Sequence, residues 1–140
     1  MQTQIEVEWS KVWKEEWGCS NCLYAYLHPE NNEILYIGKA YGTTVGQRFI
    51  AAEKEDLFDY FEKELGIGEE DLHVIVGEIV MEKGWHLSNE FLADIESLLI
   101  SCIQPLGNIK GPDTRISHLG MVVCCTGPAW HHERMIFVDQ

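Results

Sequence analysis

Cys22-Leu23-Tyr24-Ala25-Tyr26-Leu27-His28, then Pro29-Glu30-Asn31-Asn32, then Glu33-Ile34-Leu35-Tyr36-Ile37-Gly38-Lys39 is the stretch whose reading decides the fold. The two outer runs are rich in Leu, Ile and Tyr, which suit the pleated, half-buried surface of a strand. The residues between them are turn formers: Pro fixes one φ, and Asn tolerates the left-handed region. Strand runs joined by so short a link predict an antiparallel hairpin. A tyrosine sits on each strand, Tyr24 and Tyr36. Gly38 lets a ligand or another backbone approach the end of the second strand.

Toward the N-terminus, residues 5 to 9 (Ile-Glu-Val-Glu-Trp) alternate apolar and polar as a short strand does. Ser10 is a candidate N-cap for a short helix. Beyond the hairpin comes a loop with Gly42 and Gly46. Two helical stretches follow, Gln47 to Lys54 and Leu57 to Leu65, the second stopped by Gly66 and Gly68. Leu72 to Met81 reads as a third strand, with His73, Ile75, Gly77 and Ile79 on one face. Ser88 caps a long helix that runs to about Gln104 and stops before Pro105. Met121 to Cys125 and Met135 to Asp139 read as two more strands around a Gly127-Pro128 turn. No repeat or linker divides the chain. The expectation is one α+β domain over residues 1–140: a small, mainly antiparallel sheet flanked by helices, with an added N-terminal segment and a C-terminal β-hairpin.

A chain of 140 residues, 46% hydrophobic and 11% aromatic, can build a core and is neither disordered nor collagen-like in composition. Its longest apolar runs fall far short of a membrane span. Met1 to Trp17 mixes Glu, Lys and Trp, unlike a signal peptide. A soluble cytoplasmic protein is expected, with no membrane partner. Five cysteines without a secretory signal read as free thiols. The net charge of −13 argues against a strong non-specific nucleic-acid binder. That acidity is local, however. Residues 53 to 71 hold nine acids and two bases, whereas residues 31 to 52 hold Glu33 against Lys39 and Arg48. The hairpin region is therefore not acidic.

On the helix after Ser88, Leu92, Ile95, Leu99, Cys102 and Ile103 form an apolar stripe at helical spacing, and Glu96 lies on its edge. A carboxylate beside a core-facing stripe is expensive unless a cation or metal pairs with it. Taken alone, Glu96 reads sooner as a rim residue reaching solvent. Cys22-Leu23-Tyr24, Tyr36-Ile37-Gly38-Lys39-Ala40, Arg48, Glu96, Pro105 and Asn108 come in an order and spacing that resembles the GIY-YIG nuclease domain family, over about residues 22–108.

The resemblance implies a divalent-metal-dependent endonuclease that hydrolyses phosphodiester bonds in nucleic acid, DNA ahead of RNA. No attached basic module is evident in the sequence, so specificity is expected to be poor or to come from a protein partner. It implies Glu96 as ligand to Mg²⁺ or Mn²⁺, hard ions that take oxygen ligands and act as Lewis acids. Arg48 would grip the scissile phosphate. Tyr36 would be the general base, which requires its pKa to fall from about 10; Lys39, Arg48 and the metal have the sign for that. Tyr24 would hydrogen-bond within the site. Gly38 and Asn108 would support it, Asn108 by pinning the chain after the helix.

The chain departs from the family pattern at Cys22, where glycine is usual, in the length of the loop between Gly38 and Arg48, and at Ala52. There, one turn after Arg48, the family often has Tyr or His. Ala52 and the acidic charge favour an alternative, a catalytically weak or inactive binding or structural protein of the same fold. A third reading takes Cys19 and Cys22 as a zinc or thiol site, with Cys124, Cys125, His131 or His132 as further ligands. Ordinary buried or rim thiols are the simpler reading of that CxxC. Vicinal Cys124 and Cys125 point to opposite faces of a strand.

Overall fold

The hairpin forms, and its second strand is longer than its apolar run. The computed structural model describes residues 3–13, 16–81, 85–108 and 120–138. In chain order the elements are β1 (Thr3–Lys11), β2 (Ser20–Leu27), β3 (Ile34–Thr44), α1 (Val45–Phe49), α2 (Lys54–Leu65), β4 (His73–Val80), α3 (Asn89–Ile103), β5 (Met121–Thr126) and β6 (Ile136–Val138). Short 3₁₀ turns cover Glu69–Asp71 and Leu106–Asn108. The fold is α+β, with one mixed six-stranded sheet in the order β3-β2-β4-β1-β5-β6.

Four of the five strand pairings are antiparallel, and β1 with β5 is parallel. The N-terminal segment is therefore not an appendage. Ile5, Val7 and Trp9 are buried while Glu6, Glu8 and Ser10 are exposed, and this alternation places β1 between β4 and β5. The strand continues through Ser10 to Lys11, so Ser10 caps no helix; part of the stretch expected to be helical lies outside the described residues. The expected C-terminal hairpin forms, β5 pairing antiparallel with β6, and it extends the same sheet through β5. The expected end of its last strand, Asp139, lies outside the described residues.

Apolar side chains cover both faces. On one, α3 lays Leu92, Ile95, Leu98 and Leu99 against Leu23, Ala25, Ile37, Ile75 and Trp9. Trp130 stacks on Trp9 with ring centroids 5.3 Å apart. On the other, α1 and α2 bring Val45 and Phe61 against Tyr24, Tyr26, Leu35, Val74 and Val76. Trp9 is thus a core residue, Trp17 is half-buried, and Trp13 and Trp85 are exposed.

Two differences from expectation matter for the site. Gly42 does not open a loop. It takes φ +71 inside β3, and its N–H donates to Asn21 Oδ1 at 3.3 Å where the β2–β3 register shifts. The strand thereby runs on to Thr44. The helix expected from Gln47 to Lys54 is instead α1 alone. Thr44 Oγ1 accepts from Gln47 N–H at 3.1 Å while Gln47 Oε1 accepts from Thr44 N–H at 3.1 Å, a reciprocal cap that starts the helix early. It ends at Phe49, whose ring packs on Trp17 and Tyr26, and α2 begins at Lys54.

Candidate active site

β3 is an edge strand, and at an edge, side chains from the two faces of a sheet can meet. Tyr24 pairs across β2–β3 with Gly38. A Cβ at position 38 would lie 2.5 Å from Tyr24 Cζ and Oη. The missing side chain is therefore what lets the phenol lie across β3 toward the edge. Tyr36 is near Tyr24, ring centroids 6.2 Å apart, and Tyr26 stacks against Tyr36 at 5.4 Å.

A hollow of about 270 Å³ opens here, lined by Tyr24, Tyr36, Gly38, Lys39, Tyr41, Thr43, Arg48 and Glu96. The tyrosines and Arg48 reach it from the α1–α2 side, and Glu96 reaches it from α3. Lys39 Nζ donates to Asn89 Oδ1 at 2.7 Å, which leans it toward the start of α3. Tyr41 Oη donates to the Leu87 carbonyl at 3.2 Å. Asn108 stands behind β3: its Oδ1 accepts from Ile37 N–H at 2.9 Å and its Nδ2 donates to Ile37 O at 3.0 Å. This pair of hydrogen bonds to one edge residue fixes the strand beside Gly38. A larger groove, about 770 Å³, runs between Trp13, His28, Leu65 and Glu70, and none of the residues singled out for chemistry lines it.

The charges are unusual for a surface hollow. Burial pushes the Glu96 carboxyl up to about 7, against the pull of Lys39, Arg48 and Lys54. Arg48 forms an ion pair with Glu53. Lys54, which nothing in the sequence marks out, turns inward from the start of α2 and donates to Tyr24 Oη at 2.9 Å. Burial first, and then the charge of Arg48, bring its ammonium down to about 8. Tyr24 is raised by burial and partly relieved by Arg48. For Tyr36 the expectation is corrected. Burial outweighs the opposing pull of Arg48, and Tyr24 and Glu96 add to it, so the phenol titrates above its ordinary value rather than below.

Among the described residues no group of three or more His, Cys, Asp or Glu converges to hold a metal. Glu96 is the carboxylate lining the hollow. A single carboxylate, with remaining positions for water and phosphate oxygens, fits Mg²⁺ or Mn²⁺ better than zinc. Burial is what raises its pKa, and a divalent ion bound there would favour the ionised form.

Elsewhere, Cys19, Cys22, Cys102, Cys124 and Cys125 are free thiols. Burial raises Cys19 and pushes Cys22 up to about 12, so neither is a ready thiolate. His131 and His132 lie between β5 and β6 and do not line this hollow; His131 lines a separate cavity with Leu27, Asn32 and His73. Comparisons with family models, curated proteins and solved structures return no match for this chain.

Proposed function

We propose that this chain is a divalent-metal-dependent endonuclease of the GIY-YIG type, hydrolysing phosphodiester bonds in nucleic acid. The observation that carries this reading is the meeting of Tyr24, Tyr36, Lys39, Arg48 and Glu96, far apart in the chain, around one hollow open to solvent. In that arrangement Arg48 and Lys39 bind the phosphate, Arg48 through its planar fork of donors. Glu96 would hold Mg²⁺ or Mn²⁺, and the ion would supply Lewis-acid polarisation and an activated water when bound. Tyr36 orients the attacking water and takes its proton once ionised. In the overall reaction the water oxygen bonds to phosphorus and the bridging P–O bond breaks. One water proton ends on the leaving oxygen and the other stays with the new phosphate. DNA is the first substrate to test.

The burial of Tyr36 sets a pH dependence. Its base form gains population as pH rises, and Glu96 is ionised above about pH 7. Both push in one direction, and Lys54 loses its proton only near pH 8, so cutting should increase from pH 6 to pH 7 at saturating Mg²⁺. A rate that falls over that interval would speak against Tyr36 as base.

A second reading, the same fold without turnover, is favoured by the Arg48–Glu53 ion pair, which already occupies the guanidinium. Nicking of supercoiled plasmid with Mg²⁺ or Mn²⁺ separates the two. The nuclease reading expects cutting by the wild type and a loss of about 10²-fold or more for Arg48→Ala, comparable to removal of a transition-state donor. Wild-type cutting by Arg48→Ala would mean a contaminant or another site.

A further inference from the structure

Among the described residues Lys54 is the one charged side chain in the buried class, 2% exposed. Burying an ammonium is expensive unless partners compensate. Its partners are specific. Nζ donates to Tyr24 Oη and to the Arg48 carbonyl oxygen, each at 2.9 Å. It also lies 5.1, 5.7 and 5.2 Å from the ring centroids of Tyr24, Tyr26 and Tyr36, within range for attraction to the ring faces.

These contacts impose a direction on a proton. An ammonium has donors and no acceptor. While Lys54 is protonated, Tyr24 Oη accepts from it, so the phenol's own proton points away from Nζ; Arg48 and Tyr36 are the other side chains in hydrogen-bond reach of that hydroxyl. Tyr24 lines the hollow and Lys54 does not; Lys54 therefore stands behind the phenol. The second bond, to the Arg48 carbonyl, ties the same ammonium to the end of the helix that carries the guanidinium.

The backbone explains why this residue does the work. α1 ends at Phe49, and Ala52 lies exposed on the turn before α2. The position one turn after Arg48, where the resemblance leads one to expect Tyr or His, is thus no longer on a helix facing the site. Two residues later the chain turns back, and Lys54 points in.

We propose that Lys54 is a positioning residue of the site, fixing the Tyr24 hydroxyl as a hydrogen-bond donor toward a phosphate oxygen in the hollow. This rests on the phosphodiester reading above. Two cations then act on one oxyanion, Arg48 directly and Lys54 through Tyr24.

The test compares wild type with Lys54→Met, which keeps most of the length but removes donor and charge, and Lys54→Gln, which keeps a donor. In plasmid or oligonucleotide nicking with Mg²⁺, kcat of folded Lys54→Met should drop by about 10²-fold while KM changes by less than about threefold. Lys54→Gln should recover about tenfold of the loss. A purely structural lysine would lower kcat only in proportion to the folded fraction. The second readout needs no turnover. With tyrosine labelled at ¹³Cζ, the Tyr24 resonance should move in Lys54→Met and return toward its wild-type position in Lys54→Gln. Added inorganic phosphate should shift that resonance in the wild type and not in Lys54→Met.

A Tyr24 signal indifferent to Lys54 and to phosphate, or wild-type kcat in folded Lys54→Met, overturns the proposal. Should Lys54→Met fail to fold, Lys54→Gln carries the same readings, and unchanged kcat there is equally contrary. A wild-type protein that cuts nothing ends the nuclease reading, and the phosphate-induced shift of Tyr24 then decides this one alone.

Discussion

Glu96 is a residue whose position stabilises nothing by itself. Its folded pKa of about 7 lies above the ordinary carboxylate value, so the folded state holds the proton more tightly than the unfolded one. Stability is therefore highest below the unfolded pKa, declines as pH rises toward 7, and is lowest above it. Glu96→Gln escapes this penalty. In urea denaturation at pH 8 the variant should be more stable than wild type, on the order of 2 kcal/mol, and at pH 4 the two should be nearly equal. Mn²⁺ should raise the melting temperature of the wild type and not of Glu96→Gln. A variant less stable than wild type at pH 8 would mean that Glu96 has a structural partner. Glu53 is the converse case, an acid that competes for Arg48. Exposed pairs are weak, about 0–1 kcal/mol, so Glu53→Gln should leave stability unchanged and tighten oligonucleotide binding a few-fold by fluorescence anisotropy. Unaltered affinity would show that the pair does not hinder the phosphate.

At the scale of elements, the site depends on the edge strand β3. Ala at position 38 would drive a methyl group into the Tyr24 ring. Overpacking of that kind costs about 1–3 kcal/mol, and Gly38→Ala should lose cutting together with that stability. Asn108→Ala releases both backbone groups of Ile37; leaving them unpaired should cost about 1–3 kcal/mol in chemical denaturation. The hairpin and α3 were legible because period 2 and period 3.6 are written in their side chains, and Ser88 and Pro105 bracket the helix. The extension of β3 past Gly42 was not legible, since it depends on Asn21 reaching across from β2. Nor was the break between α1 and α2. No Pro or Gly marks it, and it follows from where Phe49 and Lys54 pack. Lys54 was invisible for the same reason: a lysine opening an acidic helix reads as a solvated residue, and only the fold turns it inward.

Across the whole molecule, topology and charge were legible to different degrees. Alternation in residues 5 to 9 told which side chains of β1 are buried but not which strands it joins, because burial patterns do not name partners. Its central place, antiparallel to β4 and parallel to β5, comes from the complete sheet. No described helix is long and apolar enough to cross a membrane. The net charge of −13 is concentrated away from the hollow, where Lys39 and Arg48 are the cations that line it. Nucleic-acid affinity should accordingly be modest. A plot of log affinity against log salt should have a slope of about −2, as expected for two neutralised phosphates. A slope of −6 or steeper would place the binding surface elsewhere.

The most direct test pairs the chemistry with a variant that cannot be dismissed as unfolded. Supercoiled plasmid is incubated at pH 8 with Mg²⁺ and either wild type or Glu96→Gln, the variant expected to be the more stable of the two. Nicking by the wild type and none by Glu96→Gln is the predicted result. Equal nicking by both, or by neither, contradicts a metal-dependent phosphodiesterase at this hollow.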